Sequence, residues 1–321
     1  MDLPPYSQMI GGITSLFHLI SGALHGVTDA MKTLHDAAPI GTTGMAFLVG
    51  GAAAGTFGTY VYRLPMKHGI VSPQNPQKIA GIGGDSFGGK PETRGVCVCD
   101  SCRTPIGWRS QAPIVGWLWT MGKCPTCGSR ASVSYPIMET LTAIATAGVF
   151  YATGSIISLT MPLFVLFIAW LDWQTEWIPD FLTLPLFLLG LAVSVFGLSP
   201  ISPTSAILGA IICSAGWLSI CVLTAFMTAI RQGRERGVSI AQAIDDSGIS
   251  ISVGDVTLVG AIGAWVGKDL ALPMLEADCM VAGLALLASQ SFAAFRERGG
   301  VPGGPFLGAV GAVFFIMMYV H

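Results

Sequence analysis

Largely uncharged apolar runs recur along this chain, at about residues 40–61, 136–150, 157–171, 181–198, 205–230, 256–272, 280–295 and 306–320. At about 1.5 Å of rise per residue, helical runs of roughly 15 to 25 residues are mostly long enough to cross the hydrocarbon of a membrane. Composition agrees, since 52% of the 321 residues are hydrophobic and only 11% are charged. The expected fold class is therefore an all-α polytopic membrane protein with about eight transmembrane helices, whose constant partner is the lipid bilayer.

The runs divide the chain into four parts: an amino-terminal extension over 1–39, a first transmembrane helix over 40–62, a polar segment over 63–134, and a multi-helix membrane domain over 135–321. In the extension, Met9 to Val27 carries no Asp, Glu, Lys or Arg but is interrupted by histidines and glycines, so it is expected to lie on the membrane or to cross it. His18, His25 and His35 read as scattered interfacial histidines rather than a metal site, because no carboxylate or cysteine supports them. The start Met1-Asp2-Leu3-Pro4-Pro5 lacks the basic region of a cleavable signal peptide and is expected to stay unprocessed. A net charge of −2 without a basic tail leaves no footprint for nucleic acid.

The polar segment carries turn residues and glycine clusters, including Gly81-Ile82-Gly83-Gly84, but no Gly-Lys-Ser/Thr follows and no phosphate loop is expected. It also holds the densest cysteine pattern: Cys99-Asp100-Ser101-Cys102, then 21 residues, then Cys124-Pro125-Thr126-Cys127. Two such knuckles can supply four thiolates to a tetrahedral zinc ion, and a closed four-sulfur site is structural because no coordination position stays open; the alternative is disulfides, against which a reducing cytoplasm argues. Cys97 is a spare in the same segment. Cys213, Cys221 and Cys279 sit in or beside apolar runs and read as small core residues.

Fourteen of the 16 Lys and Arg fall in alternate connections: nine between 63 and 134, then Arg231, Arg234, Arg236, Arg296 and Arg298. The positive-inside rule places those connections in the cytoplasm. Asp172, at the end of one apolar run, and Asp255, just before another, then share one membrane face although they lie 83 residues apart. A carboxylate bordering an apolar helix usually faces a partner, a cavity or the headgroup boundary. Two carboxylates brought close together cannot both ionise cheaply, so one holds a proton while the other activates water. That arrangement hydrolyses a peptide bond without a metal or a covalent intermediate. Asp180 reads as the cap of the next helix, and Asp245, Asp246, Asp269 and Asp278 read as solvated. Glu139, near the start of an apolar helix, is a further functional candidate. Trp170, Trp173 and Trp177 read as interfacial anchors.

Together these features resemble the type IV prepilin peptidase family of bifunctional membrane aspartic proteases. The matching residues are Gly55-Thr56-Phe57 with Arg63-Leu64-Pro65, the four paired cysteines with Gly122-Lys123, Tyr135-Pro136 with Glu139, Asp172 with Ile178-Pro179-Asp180, Gly254-Asp255-Val256, and Gly303-Gly304-Pro305-Phe306-Leu307. The resemblance implies removal of the short basic leader from prepilin or pseudopilin precursors, then methylation of the new amino terminus with S-adenosylmethionine. It implies residence in a bacterial inner membrane, with the zinc domain and the active site on the cytoplasmic side. Asp172 and Asp255 fall on the family's catalytic positions, the four cysteines on its zinc set, and Gly122 on a glycine linked to methyl transfer, with which Glu139 is grouped.

The family's Gly-x-Gly-Asp-Val-Lys reads Ser252-Val253-Gly254-Asp255-Val256-Thr257 here. These changes leave both aspartates intact. The alternative reading is a zinc-knuckle membrane transporter with a carboxylate relay, which expects acids spread through the bilayer depth and a repeated half.

Overall fold

The computed structural model of the protein describes residues 6–67, 99, 102, 104–131, 133–237, 252–291 and 302–320. The glycine clusters at 81–89, Cys97, Asp245, Asp246, Arg296 and Arg298 lie outside these residues. The described chain is all-α, its only strand-like pairing being an isolated bridge between Lys123 and Arg130. The helices are α1 (Tyr6–Ala37), α2 (Pro39–Lys67), two short pieces α3 (Trp108–Gln111) and α4 (Val115–Thr120), α5 (Ser134–Thr153), α6 (Thr160–Thr175), α7 (Asp180–Val195), α8 (Pro203–Arg236), α9 (Val253–Val266), α10 (Lys268–Ser291) and α11 (Gly304–Val320).

Among the described residues, four stretches are long and apolar enough to cross a membrane: Pro39–Phe57, Ile157–Thr175, Pro203–Arg236 and Lys268–Leu287. Three shorter apolar helices pack among them, Asp180–Val195, Val253–Val266 and Gly304–Tyr319. The expected all-α polytopic membrane architecture is what the chain adopts. Lipid tails are as apolar as leucine, so such helices associate through close packing rather than hydrophobic burial. Accordingly α8 and α9 meet at Gly209 and Gly263, where a Cβ on Gly263 would stand 2.6 Å from the Gly209 carbonyl oxygen. Met161, Ile168, Leu186, Leu258, Ile262 and Phe315 fill the centre, and Trp265 anchors α9 to α7 by donating its Nε1–H to the Leu186 carbonyl at 2.8 Å.

Helix direction alternates through the bundle. The end of α6 and the starts of α7, α9 and α11 therefore come to one face, which we call the aspartate face.

Three sequence expectations change. The break expected between runs 256–272 and 280–295 falls earlier, at Gly267, whose φ of +80° ends α9, and α10 continues through Pro273. The serine hydroxyl of Ser205 accepts the Lys268 N–H at 3.1 Å and fixes the restart. As a result Asp278 lies mid-helix instead of in a solvated loop; it is 1% exposed, and neither carboxylate oxygen has a partner among the described residues. Trp170 is likewise no interfacial anchor but a core residue, 2% exposed, with Tyr135 edge-on to its ring at 6.2 Å. Asp180 stands inside the first turn of α7, where Pro179 is the cap residue, and its charge faces the helix N-terminus as the dipole prefers.

Candidate active site

Asp172 is set on the last turn of α6, where the Glu176 N–H closes the helix on the Asp172 carbonyl at 2.7 Å. The chain then reverses through Glu176, a non-glycine residue at φ +54°, to Ile178 and Pro179. Ile178 packs on the first turn of α9. A Cβ on Gly254 would stand 2.8 Å from the Ile178 Cβ, so the glycine before Asp255 lets α9 dock on this reversal. The glycine expected to give Asp255 room thus does so against a specific neighbour.

The two aspartates meet across the start of α11. The Gly304 N–H donates to Asp172 Oδ2 at 2.8 Å, in a buried position. A Cβ on Gly304 would stand 2.9 Å from Asp172 Oδ2, and one on Gly303 would stand 2.8 Å from Asp255 Oδ1. One glycine pair, held between Pro302 and Pro305, is therefore flanked by both carboxyl groups. Asp172 is 4% exposed and Asp255 is half-buried.

The sequence pattern singled out the Gly-Gly-Pro stretch, but not its place between the acids. Gly304→Ala puts a methyl group 2.9 Å from Asp172 Oδ2 and 3.0 Å from its Cβ, so the Asp172 side chain must shift. If the two acids act as a hydrolytic pair, we expect it to lower their hydrolysis of a peptide bond by about 10²-fold, the usual cost of displacing a catalytic group by about an ångström. A steady-state rate measured beside a melting curve checks this, and an unchanged rate would show that the contact is dispensable.

The surroundings of the two acids differ. Asp172 takes its hydrogen bond from the backbone at a helix N-terminus, where the dipole stabilises negative charge. Asp255 is hydrogen-bonded instead by Ser252, the residue that replaces a family glycine. Thr257, which replaces the family lysine, bonds within a small polar cluster: it donates to the Gly254 carbonyl at 3.0 Å, receives a hydrogen bond from Thr183 at 3.3 Å and stands 3.5 Å from Asp180 Oδ1. The first departure therefore touches Asp255, while the second sits in a polar cluster with Asp180.

The four cysteines come together on the same side of the bundle, between the end of α2 and the start of α5. Their Sγ atoms lie within 4.8 Å of one another, with Cys99 to Cys127 at 3.7 Å and Cys102 to Cys124 at 3.8 Å. Four sulfurs at about 2.3 Å from a tetrahedrally coordinated zinc are about 3.8 Å apart, so the set fits such an ion. The knuckles are built by backbone bonds from Cys99 N–H to the Thr104 carbonyl at 3.0 Å and from Cys124 N–H to the Ser129 carbonyl at 2.8 Å. Sequence reasoning missed Ser129, whose hydroxyl lies 3.3 Å from Cys99 Sγ and 3.1 Å from Cys127 Sγ. Its hydrogen bonding holds the Cys127 thiol below its usual range, towards the thiolate that a metal needs.

Gly122 and Glu139 occupy neighbouring supports of this domain. Gly122 has φ +66°, and a Cβ there would stand 2.7 Å from the Trp117 indole, so only glycine closes the turn after α4. Glu139 is 8% exposed, and its Oε2 accepts the Ile114 N–H at 2.6 Å, where Ile114 has φ +61°. The groove beside them, lined by Ile114, Trp117, Leu118, Ile137 and Leu141 among others, is almost wholly apolar. Its polar side-chain groups are the Thr140 hydroxyl, which donates to the Pro136 carbonyl at 2.7 Å, and the Trp117 Nε1–H, which has no partner among the described residues. The three histidines of α1 are not brought together; His25 and His35 bond locally, to the Ser21 carbonyl at 2.8 Å and to Thr42 at 3.0 Å.

A family model described as the bacterial peptidase A24 N-terminal domain matches residues 49–153, and one described as the type IV leader peptidase family matches residues 159–288. A protein of Klebsiella pneumoniae called prepilin leader peptidase/N-methyltransferase is 33% identical over 54% of this chain and 70% of its own length. Proteins of the same name from Burkholderia pseudomallei (strain 1026b) and Dickeya chrysanthemi are 30% and 28% identical, over 83% and 85% of this chain and 82% and 92% of their own. No solved structure matches the chain. Nothing in these matches supports the transporter reading. With relatives that similar over most of their length, and two family models covering the four-cysteine segment and both aspartates, the chain belongs to the type IV leader peptidase family.

Proposed function

We propose that this protein is a prepilin leader peptidase and N-methyltransferase. It removes the short basic leader from prepilin or pseudopilin precursors at the aspartate face of the membrane and methylates the amino terminus so exposed. The observation that carries the peptidase reading is the position of Asp172 and Asp255 on either side of the Gly303–Gly304 dipeptide. A precursor whose apolar helix lies in the bilayer presents its scissile bond at the same depth as these residues.

The asymmetry of the site supports a division of roles. Asp172, with the α11 N-terminus as a fixed donor to negative charge, is the base: it takes a proton from water as the water oxygen attacks the scissile carbonyl carbon. Asp255 is the acid: it gives its proton to the substrate, and the leaving nitrogen departs as the amine of the mature protein. The leader leaves as a carboxylate, and no bond to the enzyme is formed.

The basic connections favour a cytoplasmic aspartate face in a bacterial inner membrane. Cys99, Cys102, Cys124 and Cys127 hold a structural zinc. S-adenosylmethionine, when bound, supplies an electrophilic methyl group. The methyl-transfer activity rests on the family, with Gly122 closing the turn after α4 and Glu139 of α5 holding the Ile114 N–H beside it.

The test uses the full chain in lipid vesicles with a pseudopilin carrying its leader and with S-adenosylmethionine, read by mass spectrometry. Loss of the leader followed by gain of one methyl mass is the expected result. Failure to cut any of several precursors would overturn the reading. Cutting without methylation would remove only its second half.

A further inference from the structure

Both family matches begin after α1, the earlier at residue 49, and the proposed chemistry does not use this helix. Among the described residues, its ring and hydrogen-bond contacts with the bundle lie at one level. The Phe17 ring stacks on Phe196 at 5.0 Å, and the Ser21 hydroxyl donates to the Phe196 carbonyl at 3.4 Å. His25 lies 3.8 Å from where Gly197 would carry a Cβ. His35 stands edge-on to Phe150 at 5.3 Å, and Lys32 and His35 close on Gly154, at 3.6 and 3.4 Å from the same virtual atom. Phe196 and Gly197 end α7, while Phe150 and Gly154 end α5, and both ends point away from the aspartate face. From Phe17 to His35 the helix advances about 27 Å at 1.5 Å per residue, nearly a hydrocarbon thickness, without leaving that level.

The rest of the helix surface is sorted to match. At about 100° per residue, Phe17, Ser21, Met31 and His35 form the docked side. To one side of it runs an apolar stripe, Ile13, Leu16, Ile20, Val27 and Leu34, each 39% to 61% exposed. To the other side, His18, Asp29, Thr33 and Asp36 are exposed. The apolar and polar stripes are thus nearly opposite, with the bundle between them. A helix lying in the headgroup boundary against the rim of a bundle has this three-sided requirement: apolar towards the acyl chains, polar towards water, and one flank against protein. The stripe also runs on into exposed apolar residues at the same end of α2, Ile40, Met45 and Leu48.

We propose that α1 is an in-plane interfacial helix. It clasps the bundle at the membrane surface opposite the aspartate face, and its Ile13–Leu34 stripe is seated in the acyl chains of that leaflet. A second copy of the chain is the competing occupant, because positions 13, 20, 27 and 34 also repeat as a coiled-coil seam would.

The experiment places single cysteines in the full chain at His18, Asp29 and Asp36, and separately at Ile20, Val27 and Leu34. Sealed vesicles of each orientation are treated with a membrane-impermeant maleimide. Peptide mass spectrometry locates the label and separates it from the native thiols, and leader cleavage in the same membranes reports folding. We expect the three polar positions to react to similar extents, all from the side opposite the aspartates. The three apolar positions should react only with a permeant reagent. Reaction at 18 and 36 from opposite sides would show a crossing helix, protection of the polar positions from both sides would show a buried one, and oxidative dimerisation through Val27→Cys would make a second copy the occupant. Each of these three results would overturn the proposal.

Discussion

Leader cleavage is expected to fall by at least about 10³-fold when either Asp172 or Asp255 is replaced by asparagine, with the protein still folded in the membrane. The substitution suits this site. An asparagine at 172 keeps an oxygen for the Gly304 N–H, which now donates to Asp172 Oδ2 at 2.8 Å, and one at 255 keeps an oxygen for Ser252. Shape and hydrogen bonding survive, while the ability to exchange a proton does not. Thermal stability should therefore change by only about 1 kcal/mol, within the ordinary range of point substitutions. The combined variant separates a shared mechanism from two independent contributions. If one acid removes the proton that the other must return, losing both costs no more than losing either. Cleavage rates of the two single variants and the double variant, each beside a melting curve, decide the matter. A double variant whose loss is the product of the single losses would mean that the aspartates do not act as a pair.

Much of this site was legible in the sequence, because charges at the ends of apolar runs are costly and so conspicuous. Asp172 and Asp255 stood out on that ground, and alternation of the runs put them on one face. The cysteine spacing was legible too, since ligand type and interval state a coordination chemistry directly. What escaped was decided by contacts between distant segments. Pro273 looked like a stop and Gly267 did not, yet α10 runs through the proline and breaks at the glycine, where Ser205 from another helix takes the freed N–H. That shift carried Asp278 into the core, where sequence reasoning had expected solvent. Trp170 looked like a surface anchor because nothing local distinguishes it from Trp173, which is 36% exposed; only the packing of Tyr135 does. Gly303 and Gly304 were visible as a motif, but their function is to have no side chain where two carboxyl groups converge, and that is a property of three helices together.

The second large effect concerns the metal. The segment 99–131 has little apolar core of its own: Val115, Leu118, Trp119 and Met121 are each more than half exposed, and what ties its two knuckles together is the cysteine set. A structural zinc contributes on the order of 10 kcal/mol to folding at neutral pH, more than such a segment could supply by burial. Cys124→Ser, or a strong chelator acting on the wild type, is therefore expected to release one equivalent of zinc and open the segment to protease, while the membrane helices keep their melting temperature. Protons compete with metal for the thiolates, so lowering the pH should release the ion as well. Ser129→Ala, by removing the hydroxyl that favours the Cys127 thiolate, should move that release to higher pH. Because Glu139 of α5 holds the Ile114 N–H, the damage should stop at that helix and leave the two aspartates in place. Zinc content, limited proteolysis and cleavage rate measured on one preparation test this chain of consequences. Continued protease resistance of the zinc-free segment would show that the cysteines do not hold the domain together through a metal.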